Sequence, residues 1–447
     1  MKDSGYKWIG QIPDDWKVER LKGHFTFGKG LPITKADLIE EGAPVISYGQ
    51  IHSKANTGVK LDDSLERFVS KDFINSNPQS LVEEGDFIFA DTSEDVEGCG
   101  ACVYVDKQKE LFAGYHTIIA RSNNKQNNKY FAYLFLTDNW RSQIREKVDG
   151  VKLFSTTQTI LKQTYILLPP QDQQKKIADF LDAKCSELQA AIDNTKQTIE
   201  EYKKLKQAVI TKAVTKGLEP NRKMKDSGIE WIGEIPEDWE IRKLKNLFQF
   251  LGGYAFKSDD YVSETDYQII RMGNVKDFKI LFDSSPAYIS EDLALSVNNY
   301  KLKPDWILFT MTGTRGKKDY FYTCKITEED CNYKNLYLNQ RVGCLIPNEN
   351  IFSSYFNYLL KVDLIKETVF LLETGTANQA NIGSEDVMKL KVHCPPLSEQ
   401  KAIAEYLDRK CSQIDTLISQ KEQFITELEK YKQSLIYEYV TGKRVLN

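Results

Sequence analysis

Cysteine and histidine are scarce in this sequence, which contains eight cysteines and four histidines among 447 residues. Cysteines at that density do not form the disulfide framework of a small secreted protein. Cys99 and Cys102 have the CxxC spacing of many metal and redox sites, but no second CxxC accompanies them. The sequence therefore disfavours a metal or redox site at this position.

Long apolar runs are also missing. No stretch approaches the ~18 consecutive apolar residues of a membrane-spanning helix. Residues 1–5 are polar and lack the apolar core of a signal peptide. We expect a cytoplasmic protein of two or three domains, because one domain takes about 100–200 residues.

The motifs of nucleotide-dependent catalysis are absent as well. Neither the phosphate loop G-x-x-x-x-G-K-[ST] nor the dinucleotide fingerprint G-x-G-x-x-G occurs. Residues 277–279 fit the D-x-K pattern of many nucleases, but matches of three residues are common by chance. The two Pro-Pro pairs follow Leu168 and Cys394, so they lack the Asn/Asp-Pro-Pro-aromatic run that resembles an amino-methyltransferase site. The sequence thus predicts a chain with no catalytic set and no metal or cofactor of its own.

An excess of positive charge is missing too. The sequence has 60 Lys and Arg against 64 Asp and Glu, for a formal net charge of −4. This balance neither supports nor excludes nucleic-acid binding, because basic footprints are local patches. Any hold on DNA is therefore expected to be shared with a partner.

What the sequence does contain is a long duplication. Residues 169–178 return as residues 395–404, which is 226 positions later. Each segment opens with a Pro-Pro pair, which ends the preceding element because proline fixes φ and has no N–H. Asp172 and Ser398 are the predicted N-caps of the helices that follow. The next glycines, Gly217 and Gly442, are plausible stops.

Both segments, 169–217 and 395–447, have apolar residues at heptad spacing. About five heptads in matching register favour two long helices packed against each other over an ordinary amphipathic helix in a globular core. At 1.5 Å per residue, ~43 residues make a rod of roughly 65 Å. The pattern continues through Leu205 and Tyr431. The predicted seam consists of Ile177, Leu181, Cys185, Leu188, Ile192 and Ile199, with Ile403, Leu407, Cys411, Ile414, Ile418, Ile425 and Leu428.

The segments that lead into each half of the chain repeat too. Residues 1–22 match residues 224–245, with Trp8 and Trp16 at the places of Trp231 and Trp239. The period of about 225 residues is too long for a solenoid repeat, so each copy is a domain plus a helix. We interpret these tryptophans as packing anchors rather than ligand contacts.

The regions between the duplicated segments share a plan but few residues. Strands are predicted at 42–48, 85–90 and 112–120 and a helix at 130–144, with counterparts at 267–271, 306–310, 337–343 and 352–370. The predicted boundaries are 1–168 and 218–394 for the globular parts. The fold class is α+β: two α/β domains joined by two long antiparallel helices in a coiled coil, with internal pseudo-two-fold, cyclic symmetry. The C-terminus is then expected near the N-terminus.

These motifs together resemble one family. The Trp-Ile-Gly-x-Ile-Pro-x-x-Trp segments, the Pro-Pro-Leu-x-Glu-Gln start of a long helix and two divergent tandem domains are similar to the specificity subunit of type I restriction-modification systems. The resemblance implies that two target-recognition domains each read half of a bipartite, asymmetric double-stranded DNA sequence. It also implies that the helices set the spacing and hold two methyltransferase subunits, with restriction subunits as further partners. Gln173 departs from the pattern, since Glu399 carries the family's glutamate.

The resemblance also implies that S-adenosylmethionine, ATP and Mg²⁺ bind to partner subunits. In this chain we expect base edges to be read from polar loops by Arg, Lys, amide and hydroxyl side chains. The candidates in the first domain are Lys29, Lys35, Tyr48, Gln50, His52, Lys54, Thr92, Ser93 and His116. Those in the second domain are Tyr254, Lys257, Arg271, Asn274, Thr312, Thr314, Arg315, Lys317, Gln340, Arg341, Asn378, Gln379 and Asn381. His116 and His393 have the alternative of being core residues.

Two other functions stay open at this point. One is a single-chain DNA methyltransferase or nuclease, which the missing motifs disfavour. The other is a coiled-coil scaffold that binds only protein, which leaves two elaborate α/β domains without a purpose.

Overall fold

The computed structural model describes residues 1–123, 128–229, 232–376 and 378–446. Trp231 of the second leading segment and Ala377 of a predicted loop therefore lie outside the described residues. The chain divides into two compact units. Unit 1 consists of Met1–Lys196 with Glu422–Asn447, and unit 2 consists of Gln197–Lys421. Each unit thus holds one globular region and part of both long helices.

The globular part of unit 1 is built on two four-stranded sheets. Its strands and helices are β1 (Lys2–Asp3), β2 (Gln11–Ile12), β3 (Lys17–Arg20), β4 (Phe25–Lys29), β5 (Ala43–Ile46), α1 (Tyr48–Ile51), β6 (Arg67–Val69), α2 (Asp72–Ser76), β7 (Leu81–Val82), β8 (Phe87–Ala90), β9 (Thr92–Ser93), β10 (Cys102–Tyr104), β11 (Leu111–Ala113), β12 (Thr117–Ser122), α3 (Asn128–Leu136), α4 (Asp138–Arg145), β13 (Phe154–Ser155), α5 (Gln158–Lys162) and β14 (Tyr165–Leu168). One sheet has the antiparallel order β10-β8-β12-β4, and the other has the order β6-β5-β11-β7 with β5 parallel to β11. Three antiparallel pairs, β1 with β2, β9 with β13 and β3 with β14, complete the unit.

Unit 2 repeats this plan. After α6 (Gln171–Lys216), its elements are β15 (Met224–Asp226), β16 (Glu234–Pro236), β17 (Glu240–Lys243), β18 (Phe248–Gly252), β19 (Tyr267–Ile270), β20 (Val275–Lys276), β21 (Lys279–Ile280), α7 (Glu291–Ser296), β22 (Ile307–Thr310), β23 (Thr312–Thr314), β24 (Thr323–Lys325), α8 (Glu328–Tyr333), β25 (Asn335–Leu338), β26 (Val342–Pro347), α9 (Ser353–Leu359), α10 (Asp363–Phe370), β27 (Thr374–Thr376), β28 (Gln379–Asn381), α11 (Ser384–Lys389), β29 (Lys391–Cys394) and α12 (Leu397–Val440). The sheet order β24-β22-β26-β18 matches that of unit 1, and β19 is parallel to β25 as β5 is to β11. The duplicated plan seen in the sequence is thus a duplicated topology for the larger sheet and the parallel strand pair, while the second sheet has four strands in unit 1 and two in unit 2.

The two long helices are confirmed, with one correction at their starts. They begin at Gln171 and Leu397, directly after the Pro-Pro pairs. Asp172 and Ser398 therefore lie inside the first turn and are not the N-caps. At this place Asp172 still favours the helix, because a carboxylate near the N-terminus interacts well with the helix dipole.

The long helices run antiparallel in each unit. In unit 1 the rings of Phe180 and Tyr439 lie 4.6 Å apart, and Lys432 Nζ donates to Gln189 Oε1 at 3.1 Å. In unit 2 Lys206 Nζ forms an ion pair with Asp415 at 2.7 Å. Positions rise along α6 as they fall along α12, as the coiled-coil prediction requires.

Most of the predicted seam is buried. The buried members are Ile177, Leu181, Cys185, Ile192, Ile199, Ile403, Leu407, Cys411 and Ile414, and the half-buried members are Leu188, Ile418, Ile425 and Leu428. Leu205 and Tyr431 are 49% and 52% exposed, so the prediction that they lie in the seam is wrong. Further along each helix the apolar face joins a domain core, as Val440 does in unit 1 and Val214 in unit 2.

A turn divides one predicted strand, and a side-chain cap divides one predicted helix. The strand expected at 112–120 is two strands, because the chain turns at Tyr115 and His116, and the second copy at 337–343 is divided in the same way. The helix expected at 130–144 is α3 and α4, since Thr137 leaves the helical conformation and its hydroxyl accepts from Trp140 N. The counterpart at 352–370 is likewise α9 and α10.

The leading segments anchor the long helices. Lys443 Nζ donates to the carbonyls of Ile9 and Gln11 at 2.9 and 2.5 Å, which places the C-terminal segment beside the N-terminal one, as expected. In unit 2 Lys216 Nζ donates to Glu234 O at 2.6 Å. Trp16 is only 2% exposed, which confirms its interpretation as a packing anchor.

Candidate functional site

Unit 1 has a cavity of about 560 Å³ where several chain turns meet. Its wall combines the end of β4, the turn after β8, the turn before β12 and the segment that follows β13. We call it groove 1; the residues that matter here are Lys29, Gly30, Asp91, Thr92, His116 and Ser155. Three of them, Lys29, Thr92 and His116, are DNA-binding candidates from the sequence.

The Asp91 carboxylate lines groove 1. Asp91 Oδ1 accepts from Thr92 Oγ1 at 2.7 Å and lies 3.2 Å from His116 Nδ1. His116 is not a core residue, since its side chain is 58% exposed. Its φ of 54° is the left-handed conformation, which costs free energy for a residue other than glycine and is found often at functional sites.

Aromatic rings and a second histidine flank groove 1. The Tyr48 ring lies 5.4 Å from the His116 ring and 5.7 Å from that of Tyr115, in edge-to-face geometry. His52 Nε2 lies 2.9 Å from Thr92 O. These contacts fix the turns that carry Thr92 and His116, so the groove is preorganised.

Unit 2 has a cavity of about 300 Å³ at the same place in its topology. We call it groove 2; it is lined by Met311, Thr312, Gln340, Arg341, Gln379, Asn381 and Ile382. Five of these seven were candidates from the sequence. None of the seven carries a carboxylate.

An amide is oriented in groove 2 by its neighbours. Asn381 Oδ1 accepts from Thr312 Oγ1 at 3.1 Å and from Gln379 Nε2 at 3.4 Å. Both lone pairs of that oxygen are therefore engaged, which leaves the Asn381 amide N–H groups to face a ligand. Arg341 is exposed at the same cavity, and no ion pair joins its side chain to another residue in the described ranges.

The strand register makes the two grooves equivalent position by position. Thr92 pairs with Ser155, and Thr312 pairs with Asn381. His116 directly precedes β12, and Arg341 directly precedes β26, which has the same place in its sheet. Asp91 and Met311 each follow the strand β8 or β22. At these four places the grooves share a threonine and differ at the other three: Asp91, His116 and Ser155 stand against Met311, Arg341 and Asn381.

Each groove depends on one glycine for a close backbone approach. A Cβ at Gly30 would lie 2.0 Å from Gly114 O, and a Cβ at Gly253 would lie 2.0 Å from Asn339 O. Neither neighbour is a flexible side chain, so no larger residue fits at either position. These glycines bring the wall of each unit against the turn that carries His116 or Arg341.

The other candidates of unit 1 lie outside groove 1. Gln50 Oε1 accepts from Ser47 N at 3.1 Å and caps α1, while Lys35 and Lys54 are exposed on separate turns. Ser93 is only 4% exposed and pairs with Phe154, which corrects its assignment to the DNA-facing set.

The other candidates of unit 2 are similarly dispersed. Asn274 is fully buried and its amide bonds the carbonyls of Leu281 and Ser284 at 2.9 Å, which removes it from the DNA-facing set. Arg271 donates to Ser285 O, and Tyr254 packs on Phe256 and Tyr300. The remaining candidates, Lys257, Thr314, Arg315, Lys317 and Asn378, lie on partly or fully exposed turns and strand ends outside the groove lining.

Sequence reasoning did not select Asp91, Ser155 or Met311. Asp91 directly precedes Thr92 in the same polar run, so its position next to a candidate could have indicated it. Ser155 follows the predicted helix in a run of hydroxyl residues, and only the pairing of β13 with β9 shows that this run reaches the groove.

Three other groups that the sequence raised, the CxxC pair, the D-x-K match and His393, are buried or already engaged. Burial raises the pKa of both Cys99 and Cys102, the latter to about 12, so neither is a ready thiolate. Asp277 forms an ion pair with Lys366 at 2.6 Å and accepts from Thr323 N, which occupies the D-x-K match. Burial lowers the pKa of His393 to about 4, so this residue is a neutral core side chain stacked on Trp239.

The described residues form neither a metal site nor a membrane-spanning helix. No group of three or more His, Cys, Asp or Glu side chains is arranged to hold a metal ion. No described helix combines the length and the apolar character needed to cross a bilayer.

Comparison with known proteins connects this arrangement to one family. The model of the type I restriction modification DNA specificity domain matches twice, at residues 13–201 and 236–428. The specificity subunit of the type I restriction enzyme MjaVIII from Methanocaldococcus jannaschii is 28% identical over 98% of this chain and 95% of its own.

Solved structures share the fold. A chain from a type I R-M system, solved to address complex assembly and conformational transition, gives a TM-score of 0.71 at 16% identity over 97% of this chain and 100% of its own. The crystal structure of the HsdS subunit from Thermoanaerobacter tengcongensis gives 0.52 at 16% identity, covering 97% and 98%. At these identities the likeness concerns the fold alone.

Proposed function

The chain belongs to the family of type I restriction-modification DNA specificity proteins, and we propose that each unit reads one half of a bipartite, asymmetric DNA target through its groove. In this proposal groove 1 faces one half-site and groove 2 faces the other. The remaining exposed basic candidates, such as Lys35, Lys54 and Lys317, contact phosphates and set the position of each unit without reading sequence.

One observation carries this proposal: the two grooves occupy equivalent places but have different side chains. A structural cavity inherited by both units would be expected to keep similar residues. Here the frame is kept by Gly30 and Gly253, while the side chains that can reach a base edge have changed from His116 to Arg341 and from Ser155 to Asn381. Such divergence on a constant frame is what two readers of different sequences require.

We further propose that the long helices set the spacing and bind two methyltransferase subunits. Outside the seam, α6 and α12 have long exposed faces in both units, which leaves surface for partners. Restriction subunits are further candidates for the assembly. We assign S-adenosylmethionine, ATP and Mg²⁺ to those partner chains, because the sequence has no nucleotide-binding motif and the described residues form no cluster arranged to hold a metal ion.

Co-expression tests the proposed function. The chain is produced together with the modification subunits of its own source in a host without competing DNA methylation, and modified sequences are mapped across the host genome. The proposal expects one bipartite motif, with two specific halves around a gap of unspecified bases. Methylation of a continuous motif, or of no defined motif in an active complex, would contradict it.

Two controls separate the alternatives. The purified chain alone, incubated with DNA and labelled S-adenosylmethionine, is expected to transfer no label, whereas a single-chain methyltransferase would transfer it. A DNA-shift assay with partner subunits is expected to show sequence-dependent binding, whereas a scaffold that binds only protein would give the same result with and without the target sequence.

A further inference from the structure

The two grooves differ in the hydrogen-bond donors and acceptors that they present to a ligand. Around Arg341 groove 2 presents mainly donors: the guanidinium has five N–H groups and no acceptor, and Asn381 has its oxygen engaged by Thr312 and Gln379. The amides of Gln340 and Gln379 in the same lining each carry a donor and an acceptor. Groove 1 presents an acceptor, because the Asp91 carboxylate has about four acceptor sites and Thr92 occupies only one of them, on Oδ1.

We propose that groove 2 reads a guanine, and that Arg341 is the residue that determines this preference. The inference rests on the proposed function and goes further by naming the base. In the major groove guanine presents two adjacent acceptors, N7 and O6, with no donor beside them. A forked guanidinium matches that pair with two parallel N–H bonds, which is the commonest specific contact between a side chain and a base.

The surroundings of Arg341 support a base contact over a phosphate contact. The backbone around it is fixed: Met311 N donates to Arg341 O at 3.1 Å, and Val342 begins β26. Thr312 and Asn381 form the adjacent wall, and their bonds to each other leave the amide N–H groups of Asn381 for a neighbouring acceptor. A lone phosphate contact would not need an amide oriented in this way beside the arginine.

Groove 1 provides the contrast. At the position of Arg341 it has His116, and at the position of Met311 it has Asp91, whose carboxylate accepts hydrogen bonds. An acceptor at a base edge suits an exocyclic amino group, as on cytosine N4 or adenine N6, and disfavours guanine. The two units are therefore built for different bases, and a change in groove 2 is expected to leave the half-site of groove 1 unaltered.

The test uses the complex of the full chain with its modification subunits and duplex DNA that carries the mapped target. The half-site of unit 2 is the half that changes when residues 248–390 are replaced by those of another family member. Each guanine in this half is replaced in turn by 7-deazaguanine, which lacks the N7 acceptor. At one guanine the wild-type complex is expected to lose affinity by about tenfold.

Three variants of groove 2 make the test specific. R341Q removes the fork and is expected to bind normal and 7-deaza DNA equally, so the two changes are not additive. R341K keeps the charge and has three N–H donors that can also reach N7 and O6, so we expect it to retain part of the sensitivity to 7-deazaguanine. R341H introduces the residue of groove 1 and is expected to relax selection at this base only.

The inference is overturned if the half-site of unit 2 contains no specified guanine. It is also overturned if no guanine of that half is sensitive to the 7-deaza replacement, or if the deaza base weakens wild type and R341Q by the same factor. These results leave the proposed function intact so long as the wild-type complex still selects a bipartite target. A wild-type complex without sequence selection would instead contradict the proposed function itself.

Discussion

Trp239 Nε1 donates a hydrogen bond to Glu399 Oε2 at 2.8 Å, which ties the leading segment of unit 2 to the first turn of α12. In unit 1 Trp16 Nε1 makes the same bond to Gln173 Oε1 at 2.9 Å. The departure from the family pattern at Gln173 therefore preserves the contact. The two units differ in how this residue is linked to the next carboxylate. In unit 2 Arg222 bridges Glu399 and Asp238, whereas in unit 1 the Gln173 amide donates directly to Asp15 at 2.8 Å.

We predict that R222A destabilises unit 2 by about 1–3 kcal/mol, because the half-buried Glu399 loses its charge partner. In an E399Q background the same substitution is expected to cost much less. Gln173, at the equivalent place in unit 1, bonds Trp16 and Asp15 without an arginine partner. Urea denaturation of the four proteins of this double-mutant cycle measures the coupling. Equal effects of R222A in both backgrounds would contradict the prediction.

Lys361 is a buried lysine in unit 2 at the place that Leu136 occupies in unit 1. Burial lowers its pKa to about 7, with Lys366 and Lys206 adding to this effect and Asp277 opposing it. Its Nζ donates to Asn357 and lies 3.9 Å from the centre of the Phe278 ring. Below its folded pKa the fold must bury a charge that the unfolded chain leaves in water.

We predict that K361L stabilises the protein by about 2–4 kcal/mol at pH 6. The folded pKa is below the unfolded value of ~10.4, so the penalty is complete below pH ~7, declines as the pH rises and is gone above ~10.4. The gain from K361L should shrink accordingly between pH 7 and 10. The mirror variant L136K is the control and should destabilise most at low pH. A gain for K361L that does not vary with pH would exclude this explanation.

The glycine of each groove offers a third test. G253A is expected to cost about 1–3 kcal/mol and to weaken binding of the unit 2 half-site, since its Cβ would collide with the backbone at Asn339. G49A is the matched control, because nothing lies within 4 Å of a Cβ there and Gly49 is part of α1. Thermal unfolding and DNA binding are the measurements. If G253A behaved like G49A, the close approach would not shape the groove.

The spacer role of the long helices can be tested by length. Adding one heptad to α6 and one to α12 lengthens each by ~10 Å, or about three base pairs of B-DNA. We expect a longer gap in the methylated motif with both halves unaltered. An unchanged gap would argue against the helices as the ruler.

The sequence predicted the parts of this fold that depend on periodicity. The heptads of α6 and α12 and the matching leading segments repeat in register, so their helices and anchors could be read directly. The turn at His116 could not, because Phe112–Ala120 is apolar on both sides of it and the left-handed φ leaves no mark in the residue pattern. The break at Thr137 was also not evident, because the apolar residues continue past it. There the Thr137 side chain caps α4 and ends the preceding helix.

The candidate site was only partly accessible to sequence reasoning. Thr312, Arg341 and Asn381 were selected as polar residues in loops, but nothing in the sequence indicates that residues so far apart share one cavity. Asn274 had the same polar signature, yet its amide is used up inside the fold. Residue type identifies groups that can read DNA, and the strand pairing decides which of them meet.

The central claim is that the two units read DNA independently. It is tested most directly by replacing residues 20–168 with the matching region of another family member and mapping the methylated motif of the resulting complex. We predict that one half of the motif changes to that of the donor while the other half and the gap stay as in the wild type. A motif in which both halves change, or neither does, would contradict the claim.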